Sequence, residues 1–278
     1  MTASEDISIV LNVYNHEGTV AEAIESVLNQ KMPYSSVIYC QNDASTDNSD
    51  EIINEYATRY PDKIKVSTST RNLGSGKKSM YFHRPDVCGR YWCLLDGDDF
   101  WIRNDKLEKQ IAFLDENPDF VGCSCDTLMK NEINGEESII SPDCETWNLL
   151  DCLLLKNKYR FYVHTSSLVW RNVFLKKGFF LPPAFKKEFA SGDVMLSHMM
   201  LGQGGKVKNI FNVMSCYRVT GKGVWTSKDL KHQNELNESL AELIYRSIPR
   251  KYKLYFTLRK LCGRHSILQK LIPGPINS

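Results

Sequence analysis

Three carboxylates lie close together in the stretch CLLDGDDFW at residues 93–101. Asp96, Asp98 and Asp99 follow an apolar run, and only Gly97 separates the first acid from the other two. Neighbouring carboxylates repel one another unless a cation close by offsets their charge. Clustered carboxylates suit Mg²⁺ or Mn²⁺, which can bridge the oxygens of a bound diphosphate. A solvated acidic turn is the alternative, since Asp and Gly are ordinary turn residues.

A second candidate acid ends the run SSVIYCQND at residues 35–43. Asp43 precedes a predicted helix, so it is available to contact a nucleotide base or ribose. Ser45, Thr46 and Asp47 are instead the residue types that cap a helix N-terminus. The sequence therefore predicts a binding role for Asp43 and a capping role for the three residues after it.

The stretch FASGDVMLSHMM at residues 189–200 places Asp193 at the start of a predicted helix. An acid at this position is often only a cap. The alternative is a general base that accepts the proton of an attacking hydroxyl.

The segment CYRVTGKGVWT at residues 216–226 contains glycines and four candidate ligand-covering side chains, Tyr217, Arg218, Lys222 and Trp225. Glycine-hinged segments can close over a bound ligand, and a surface turn with a half-buried Trp is the alternative. His164 stands alone in a strand-like aromatic context, where a histidine is more often a core residue than a ligand.

These side chains need elements that bring them to one place. The first hundred residues alternate predicted strands with amphipathic helices, which is typical of a parallel, doubly wound sheet. The predicted strands cover 7–15, 35–43, 64–69 and 90–96. In such sheets ligands bind at the carboxyl ends of the strands. Four polar clusters follow these ends and should converge there: Tyr14–Asn15, Asn42–Asp43, Arg71–Asn72 and Asp96–Asp99.

Beyond residue 105 the pattern alternates less regularly. It predicts helices over residues 106–117, 145–157, 191–205 and 230–248. It predicts strands over residues 119–129, 164–174 and 206–219, the last as one strand or two.

Composition limits the class of protein. The chain has 278 residues, of which 42% are hydrophobic, enough for one large α/β domain or two small ones. Its net charge of +2 gives no bulk attraction for nucleic acid, and we expect no nucleic-acid partner. No signal peptide or membrane-spanning run is recognisable. Nine cysteines without metal-site spacing favour reduced, buried thiols in a cytoplasmic protein.

The C-terminal part of the chain is basic. From Leu243 onward there are eight Lys and Arg residues and no Asp or Glu. Residues 246–272 interleave these charges with apolar and aromatic side chains, a pattern that can bind an anionic membrane surface. Such binding would suit a lipid-linked acceptor and a peripheral location on the inner face of the membrane. A terminal helix that packs on the body is the alternative.

The order and spacing of four motifs resemble the family 2 glycosyltransferases of the GT-A fold. The motifs are ISIVLNVYNHEGTVAEAIESVLNQ, QNDASTDNS, RNLGSGKK, and LLDGDDFW followed by KLEKQIAFL. They cover about the first 115 residues, and the later half resembles the family more loosely, through SGDVML and YRVTGKGVWT.

The resemblance implies an α/β protein of GT-A type. It has a Rossmann-like, mostly parallel sheet flanked by helices, and a helical C-terminal extension. Residues 1–226 would form the transferase domain, in which 1–115 bind the nucleotide sugar and 116–226 the acceptor. Residues 227–278 would form the basic helical extension.

The resemblance also assigns roles by position. Asp98 would bind Mn²⁺ or Mg²⁺, with Asp96 beside it toward the ribose or the metal, and Asp193 would be the catalytic base. Asp99 would be structural, capping the segment that follows it. The residues expected to bind the donor are Val13, Tyr14, Asn15, Glu17, Asp43, Arg71, Asn72, Gly74, Asp96, Lys222 and Trp225.

The implied activity is metal-dependent, inverting transfer of a sugar from a nucleoside-diphosphate sugar, with a UDP-sugar expected. The acceptor would be a hydroxyl of a glycan or lipid-linked molecule in bacterial surface polysaccharide synthesis. Three residues depart from the family pattern. Asn42 replaces an acid in the second motif, Gly192 replaces an acid before the base, and Thr220 replaces a histidine near the end.

Two other functions stay open from the sequence. A nucleotidyltransferase on a similar sheet usually has a glycine-rich loop of GxGxRL type after its first strand, where this chain has YNHEG. A non-catalytic nucleotide- or glycan-binding module would not need both the DGDD stretch and Asp193. The sequence sets no expectation for the oligomeric state.

Overall fold

The computed structural model describes residues 5–73, 88–154, 163–173, 192–221, 239–240, 242–246 and 248–262. In the last range, side chains are described for 248–255 and 257. Three predicted donor-binding residues, Gly74, Lys222 and Trp225, lie outside the described residues, as does the end of the basic segment at 263–272.

The predicted alternation of strands and helices is confirmed in the first half. The strands are β1 (Ile7–Val13), β2 (Ser36–Asn42), β3 (Ile64–Thr68) and β4 (Tyr91–Asp96), and the helices between the first three are α1 (Val20–Leu28) and α2 (Ser49–Arg59). β1 pairs in parallel with both β2 and β4, and β2 pairs in parallel with β3. The carboxyl ends of all four strands therefore lie at one edge of the sheet.

The second half adds six strands, four α-helices and one 3₁₀ helix whose bounds the structure describes. In chain order these elements are β5 (Phe100–Trp101), α3 (Lys106–Glu116), β6 (Phe120–Asn131), β7 (Glu137–Ile140), β8 (Thr146–Asn148), α4 (Leu149–Leu154), a 3₁₀ helix (Thr165–Ser167), β9 (Val169–Arg171), α5 (Gly192–Gly202), β10 (Lys206–Val219) and α6 (Arg250–Cys262). The sheet order is β3-β2-β1-β4-β9-β6-β10-β5, with β7 on β6 and β8 on β10.

The direction of the strands changes in the second half. β9 runs antiparallel to its neighbours β4 and β6, whereas the long ladder between β6 and β10 is parallel. β5, directly after the acidic stretch, pairs antiparallel with β10 through Trp101 and Phe100. This pairing brings the C-terminal part of β10 beside the acids.

Some predicted elements have different bounds. The helix predicted over 145–157 begins as a strand, because Thr146–Asn148 pairs with the start of β10 and buries Trp147. The stretch 164–174, predicted as a strand, begins with the 3₁₀ helix. Helix α2 has Asn48 at its N-cap position, and the carboxylate of Asp47 accepts the N–H of Ser49, the first residue of the helix, at 3.0 Å. The side chains of Ser45 and Thr46 bond Asn15 instead, so the predicted capping role is wrong for these two residues.

The core lies on both faces of the sheet. Ile9 and Leu11 of β1 face α1 and α3, and Val10 faces the opposite side. That side is covered by α5 and by residues near the C-terminus, including Met195, Met199, Leu240, Leu243, Ile244 and Ile248. Helix α5 is therefore fixed on the sheet by apolar burial, which is the main stabilising term in folding.

The start of the basic C-terminal segment packs on this body. Ile248 is buried and Tyr252 is half-buried against the same core. Leu254 and Tyr255 on α6 are instead 65% and 38% exposed. Within the described ranges, no helix is both long and apolar enough to cross a bilayer.

Candidate functional site

The predicted convergence of polar residues occurs at the carboxyl ends of β1, β2 and β4. Asn12 pairs with Asp96 across the sheet, and its Nδ2 donates to Asp96 Oδ1 at 3.0 Å. Asp43 follows β2, and its backbone N–H donates to the carbonyl of Val13 at 2.8 Å. The buried side chain of Val13 belongs to the core, so only its backbone lies at this edge.

Residues 96–99, called the acidic turn below, are fixed through the backbone. The N–H of Gly97 donates to the carbonyl of Asn12 at 2.8 Å, and the N–H of Asp99 donates to the carbonyl of Asp96 at 2.9 Å. Thr19 is at the N-cap position of α1, but its hydroxyl donates to the carbonyl of Gly97 at 2.8 Å. Helix α1 and strand β1 thus both hold the acidic turn.

Gly97 is needed for a close approach. A Cβ at this position would lie 2.5 Å from Nδ1 of His16 and 3.2 Å from the carbonyl oxygen of Asn12. The same histidine places Nε2 3.8 Å from Oδ1 of Asp98. The imidazole therefore packs beside Asp98, the carboxylate that the family resemblance assigns to the metal.

Asp99 is the buried member of the acidic turn, with 1% exposure. Burial raises the pKa of its carboxyl well above the usual range, and the charges of Asp98 and Asp96 raise it further. Its Oδ1 accepts the backbone N–H of Arg218 at 3.2 Å. The predicted structural role agrees with this burial, but the predicted capping role is wrong, because Asp105 occupies the N-cap position of α3.

Arg218 connects β10 to the acidic turn. One guanidinium nitrogen donates to the backbone carbonyl of Asp98 at 3.0 Å, and Nε lies 3.2 Å from a carboxylate oxygen of Glu132. A third nitrogen donates to Glu22 of α1, and the guanidinium lies over the ring of Phe100. The side chain is almost fully buried, so this planar, multiply bonded cation offsets part of the negative charge.

Asn15 and Glu17, predicted to bind the donor, join two loops. Asn15 has a positive φ of 55°, and its Oδ1 accepts the N–H of Thr46 at 2.8 Å. The carboxylate of Glu17 accepts the N–H of Asn48 at 3.0 Å, and the N–H of Glu17 donates to Asp47 at 3.0 Å. These contacts hold the loop after β1 against the loop after β2.

Asp43 holds the segment that follows β3. It is 2% exposed, and its Oδ1 accepts the N–H of Leu73 at 2.9 Å. Arg71 and Asn72, which directly precede Leu73, are exposed, and Tyr14 after the end of β1 is half-buried. The described donor-binding candidates thus form one rim at the sheet edge.

Asp193 lies in the first turn of α5 and is half-buried. Its Oδ2 accepts the hydroxyl of Thr165 at 3.0 Å, and its Oδ1 accepts the N–H of Val194 at 2.8 Å. Both carboxylate oxygens therefore have a donor that fixes their orientation. A carboxylate held in this way can accept a proton from a correctly placed hydroxyl.

A stacked pair of rings lies between Asp193 and the acidic turn. The rings of His164 and Tyr217 have centroids 4.2 Å apart. Burial lowers the pKa of His164, and the charges of Asp96 and Asp193 act in the opposite direction. Burial also raises the pKa of Tyr217, and the same two acids raise it further, together with Asp98 and Asp99. The acidic turn and Asp193 therefore share one electrostatic environment.

Asp96 and Asp98 can provide part of the ligand shell of a divalent cation whose remaining ligands come from a substrate. Among the residues that the structure describes, no three His, Cys, Asp or Glu side chains are grouped as a complete metal site. Mg²⁺ and Mn²⁺ at phosphate sites usually have one or two carboxylate ligands and complete their shell with phosphate oxygens and water. Asp98, whose side chain is 23% exposed, and the half-buried Asp96 provide that partial set.

Two residues at this site had little signal in the sequence. Arg218 stood in the candidate ligand-covering segment, and nothing local indicated that it would be buried against the acidic turn. Thr165 was one hydroxyl in a short polar stretch, and its contact with Asp193 spans 28 positions. Both contacts depend on long-range packing.

Comparison with known proteins identifies the fold and the family. The family model described as Glycosyl transferase family 2 matches residues 8–176. An uncharacterized protein of Mycobacterium tuberculosis, Rv1520, is 28% identical over 230 residues, covering 80% of this chain and 61% of that protein. The poly(ribitol-phosphate) beta-glucosyltransferase of Bacillus spizizenii is 34% identical over 116 residues, covering 40% of this chain and 17% of that protein.

Two solved structures share the architecture. TarS residues 1–349 of S. aureus, in complex with UDP-GlcNAc, has a TM-score of 0.63 and 20% identity, covering 92% of this chain and 72% of that one. The mannosyltransferase PcManGT of Pyrobaculum calidifontis, in complex with GDP-Man and Mn²⁺, has a TM-score of 0.60 and 14% identity, covering 94% and 70%. At these identities the likeness shows the fold, which is of GT-A type.

Replacing Arg218 with Lys should destabilise the protein. Lysine keeps the charge but loses the planar fork, so several of the contacts to the acidic turn, Glu22 and Glu132 are lost. We expect the free energy of unfolding to fall by about 1.5–3 kcal/mol, as for hydrogen bonds to charged groups. Urea denaturation followed by circular dichroism measures the change.

The matched control is Arg59→Lys, which changes an exposed arginine that pairs with Glu55 at 3.7 Å within α2. Exposed pairs of this kind contribute about 0.3–0.5 kcal/mol. Equal effects of the two substitutions would contradict the structural role given to Arg218.

Proposed function

Given that the chain belongs to glycosyl transferase family 2 and is therefore a glycosyltransferase, we propose that it is a metal-dependent, inverting enzyme. It would transfer a sugar from a nucleoside-diphosphate sugar to an acceptor hydroxyl. The observation that carries this proposal is a pair of contacts made by adjacent residues: His164 Nδ1 lies 3.6 Å from Oδ2 of Asp99, and the hydroxyl of Thr165 donates to Oδ2 of Asp193 at 3.0 Å. These contacts support a candidate cation site close to a candidate base.

The donor would be a UDP-sugar bound at the sheet edge. Asp98 would bind Mn²⁺ or Mg²⁺, and Asp96 would contact the metal or the ribose. The cation would stabilise the charge on the diphosphate leaving group. Support comes from the partial ligand set of the acidic turn and from the neighbours, which were solved with UDP-GlcNAc in one case and with GDP-Man and Mn²⁺ in the other.

The rim around this edge would form the nucleotide pocket. Asp43 would contact the base or ribose, and Arg71 and Asn72, which follow the same edge, would complete the pocket. Asn15 and Glu17 would shape it through the contacts that join the two loops. The other residues that we propose at the donor are Val13 through its backbone, Tyr14, Gly74, Lys222 and Trp225.

Asp193 would act as the general base. Its carboxylate would take the proton of the acceptor hydroxyl as that oxygen forms a bond to C1 of the donor sugar. The bond from C1 to the diphosphate oxygen breaks at the same time, and attack from the opposite face inverts the anomeric centre. The two hydrogen bonds to Asp193 keep it oriented before the acceptor binds.

The acceptor would be a glycan or a lipid-linked molecule of bacterial surface polysaccharide synthesis. The matched relatives include a glucosyltransferase named for poly(ribitol phosphate). Residues 1–115 would bind the nucleotide sugar, 116–226 the acceptor, and 227–278 would form the basic helical extension, of which Leu240, Leu243, Ile244 and Ile248 pack in the core. Because this chain spans about 61% of the first relatives that it matches, these roles are proposed for this chain and not for a whole relative.

Binding of UDP should depend on Mn²⁺ and on Asp98. Isothermal titration of the protein with UDP should give measurable binding with Mn²⁺ present. The affinity for UDP should fall at least about tenfold when Mn²⁺ is replaced by EDTA, because the carboxylates of the acidic turn then repel the negatively charged diphosphate. Asp98→Asn should bind UDP equally weakly with and without the metal.

Asp62→Asn is the matched control, since Asp62 is an exposed acid between α2 and β3. It should keep the metal dependence of the wild type. Metal-independent binding of UDP by the wild type would contradict the metal-dependent mechanism.

Substitution of Asp193 should separate binding from transfer. In Asp193→Asn the side chain keeps its size but can no longer take a proton. We expect UDP affinity within about twofold of wild type and sugar transfer reduced by about 10²–10⁴-fold, as for loss of a general base. Radiolabelled transfer from a nucleotide sugar to a glycan acceptor measures the rate. Unchanged transfer would exclude Asp193 as the base, and a nucleotidyltransferase would release pyrophosphate instead.

We also propose that α6 binds an anionic membrane surface. Its side chains Tyr252 and Lys253 lie partly on the body, whereas Arg250, Lys251, Leu254 and Tyr255 are exposed. No acidic residue follows Leu243 to oppose this positive charge. A basic face with exposed apolar side chains is complementary to anionic lipid headgroups.

Flotation with liposomes tests this surface. The full chain should float with vesicles that contain 30% phosphatidylglycerol and stay unbound with pure phosphatidylcholine. Arg250→Glu with Lys251→Glu should lower the partition coefficient at least about tenfold, since each basic residue contributes about 1 kcal/mol near such a surface. The control pair Lys31→Glu with Lys63→Glu changes two exposed lysines elsewhere, and equal loss in both pairs would exclude a specific role for α6.

A further inference from the structure

A short turn outside the four sequence motifs lies against the predicted base. Residues His164, Thr165, Ser166 and Ser167, called the HTSS turn below, form the 3₁₀ helix and the residue before it. The hydroxyl of Thr165 donates to Oδ2 of Asp193 at 3.0 Å. This side-chain contact joins the turn directly to the predicted base.

The HTSS turn is held by buried groups of the body. Trp101 of β5 donates through Nε1 to the carbonyl of Ser166 at 2.9 Å. Gln110 of α3 donates through Nε2 to the carbonyl of Ser167 at 2.8 Å, and its Oε1 accepts from the fully buried Lys106 at 2.9 Å. Buried polar groups that are mutually satisfied hold one defined conformation.

Within the turn itself, the polar atoms are also paired. The hydroxyl of Ser167 donates to the carbonyl of His164 at 2.6 Å, and Nδ1 of His164 lies 2.8 Å from the hydroxyl of Ser166. Ser166 and Ser167 are completely buried. Thr165 is therefore presented to Asp193 from a rigid support.

The opposite side of the HTSS turn faces the acidic turn. Nδ1 of His164 lies 3.6 Å from Oδ2 of Asp99, and the His164 ring stacks on Tyr217. One short segment thus contacts both the predicted base and the turn that would hold the cation. The position of this segment therefore sets the distance between Asp193 and the acidic turn.

We infer that Thr165 is a positioning residue for the base. Its hydroxyl holds Oδ2 of Asp193 while the backbone N–H of Val194 holds Oδ1, so the carboxylate cannot turn away from the acceptor. The inference deepens the proposed transferase mechanism and depends on it. A small displacement of a catalytic group lowers the rate even when the chemistry is unchanged.

Thr165→Val is the test, because valine keeps the size and branching of threonine and removes the hydroxyl. With the full chain, Mn²⁺ and the donor that supports wild-type transfer, kcat should fall about 10- to 100-fold. The KM for the donor should stay within about twofold, since the donor rim is not changed. Thr165→Ser keeps the hydroxyl and should recover kcat to within about threefold of wild type.

The control is Thr58→Val, which removes an exposed hydroxyl bonded to the carbonyl of Asn54 in α2. It should leave kcat and the donor KM unchanged. A Thr165→Val kcat within twofold of wild type, or a loss that serine does not recover, would overturn the positioning role. If Thr165→Val does not fold, Thr165→Ser is the deciding variant, and it must fold and keep both kcat and the donor KM close to wild type. Wild-type protein that transfers no sugar would instead contradict the proposed function itself.

Discussion

The architecture of the site depends on how the negative charge of the acidic turn is offset. Asp99 is almost completely buried beside Asp96 and Asp98, and both of these charges make its ionisation unfavourable. Within the described protein, the buried guanidinium of Arg218 donates to the backbone carbonyl of Asp98, and the backbone N–H of Arg218 donates to Asp99. The guanidinium is also shared with Glu22 and Glu132, so it offsets only part of the negative charge of the turn. In the proposed mechanism, a divalent cation at Asp98 would offset more of it.

The need to offset this charge is met by the way in which β10 passes the acidic turn in the second half of the sheet. β5 directly follows the acidic turn and pairs antiparallel with β10, so the residues after Cys216 must pass the turn. The ladder between β6 and β10 has register shifts between Ile210 and Ser215. Such irregularities redirect the side chains that follow them. Strand β10 thereby places Tyr217 and Arg218 on the acidic turn, and this one strand links the second half of the chain to the first.

Much of the first half could be predicted from the sequence, because its contacts follow from local pattern. Apolar runs and amphipathic helices located β1 to β4, and the parallel order implied that Asp43 and Asp96 would meet at one edge. The predictions were wrong where a neighbour decides the structure. Trp147 lies in a strand because β10 offers it a partner, and Asp99 turns inward because Arg218 approaches from a distant part of the chain. Periodicity holds no information about such pairings.

The candidate binding residues come from motifs that do not distinguish two roles, which are binding a ligand and holding the neighbouring loops in place. Their contacts show the second role directly. Glu17 and Asn15 use their side chains to bond neighbouring loops, and Asp43 bonds the backbone of Leu73. These residues fix the shape of the rim before any ligand arrives. Asp193 is likewise oriented by two donors in the absence of an acceptor. Preorganised polar groups need little rearrangement when the reaction begins, so the cost of holding them is met by folding. The buried residues Trp101, Gln110 and Lys106 hold the HTSS turn in the same way. They stabilise the orientation of Thr165 and, through it, of Asp193, whose side chains would rotate freely if water were their only partner.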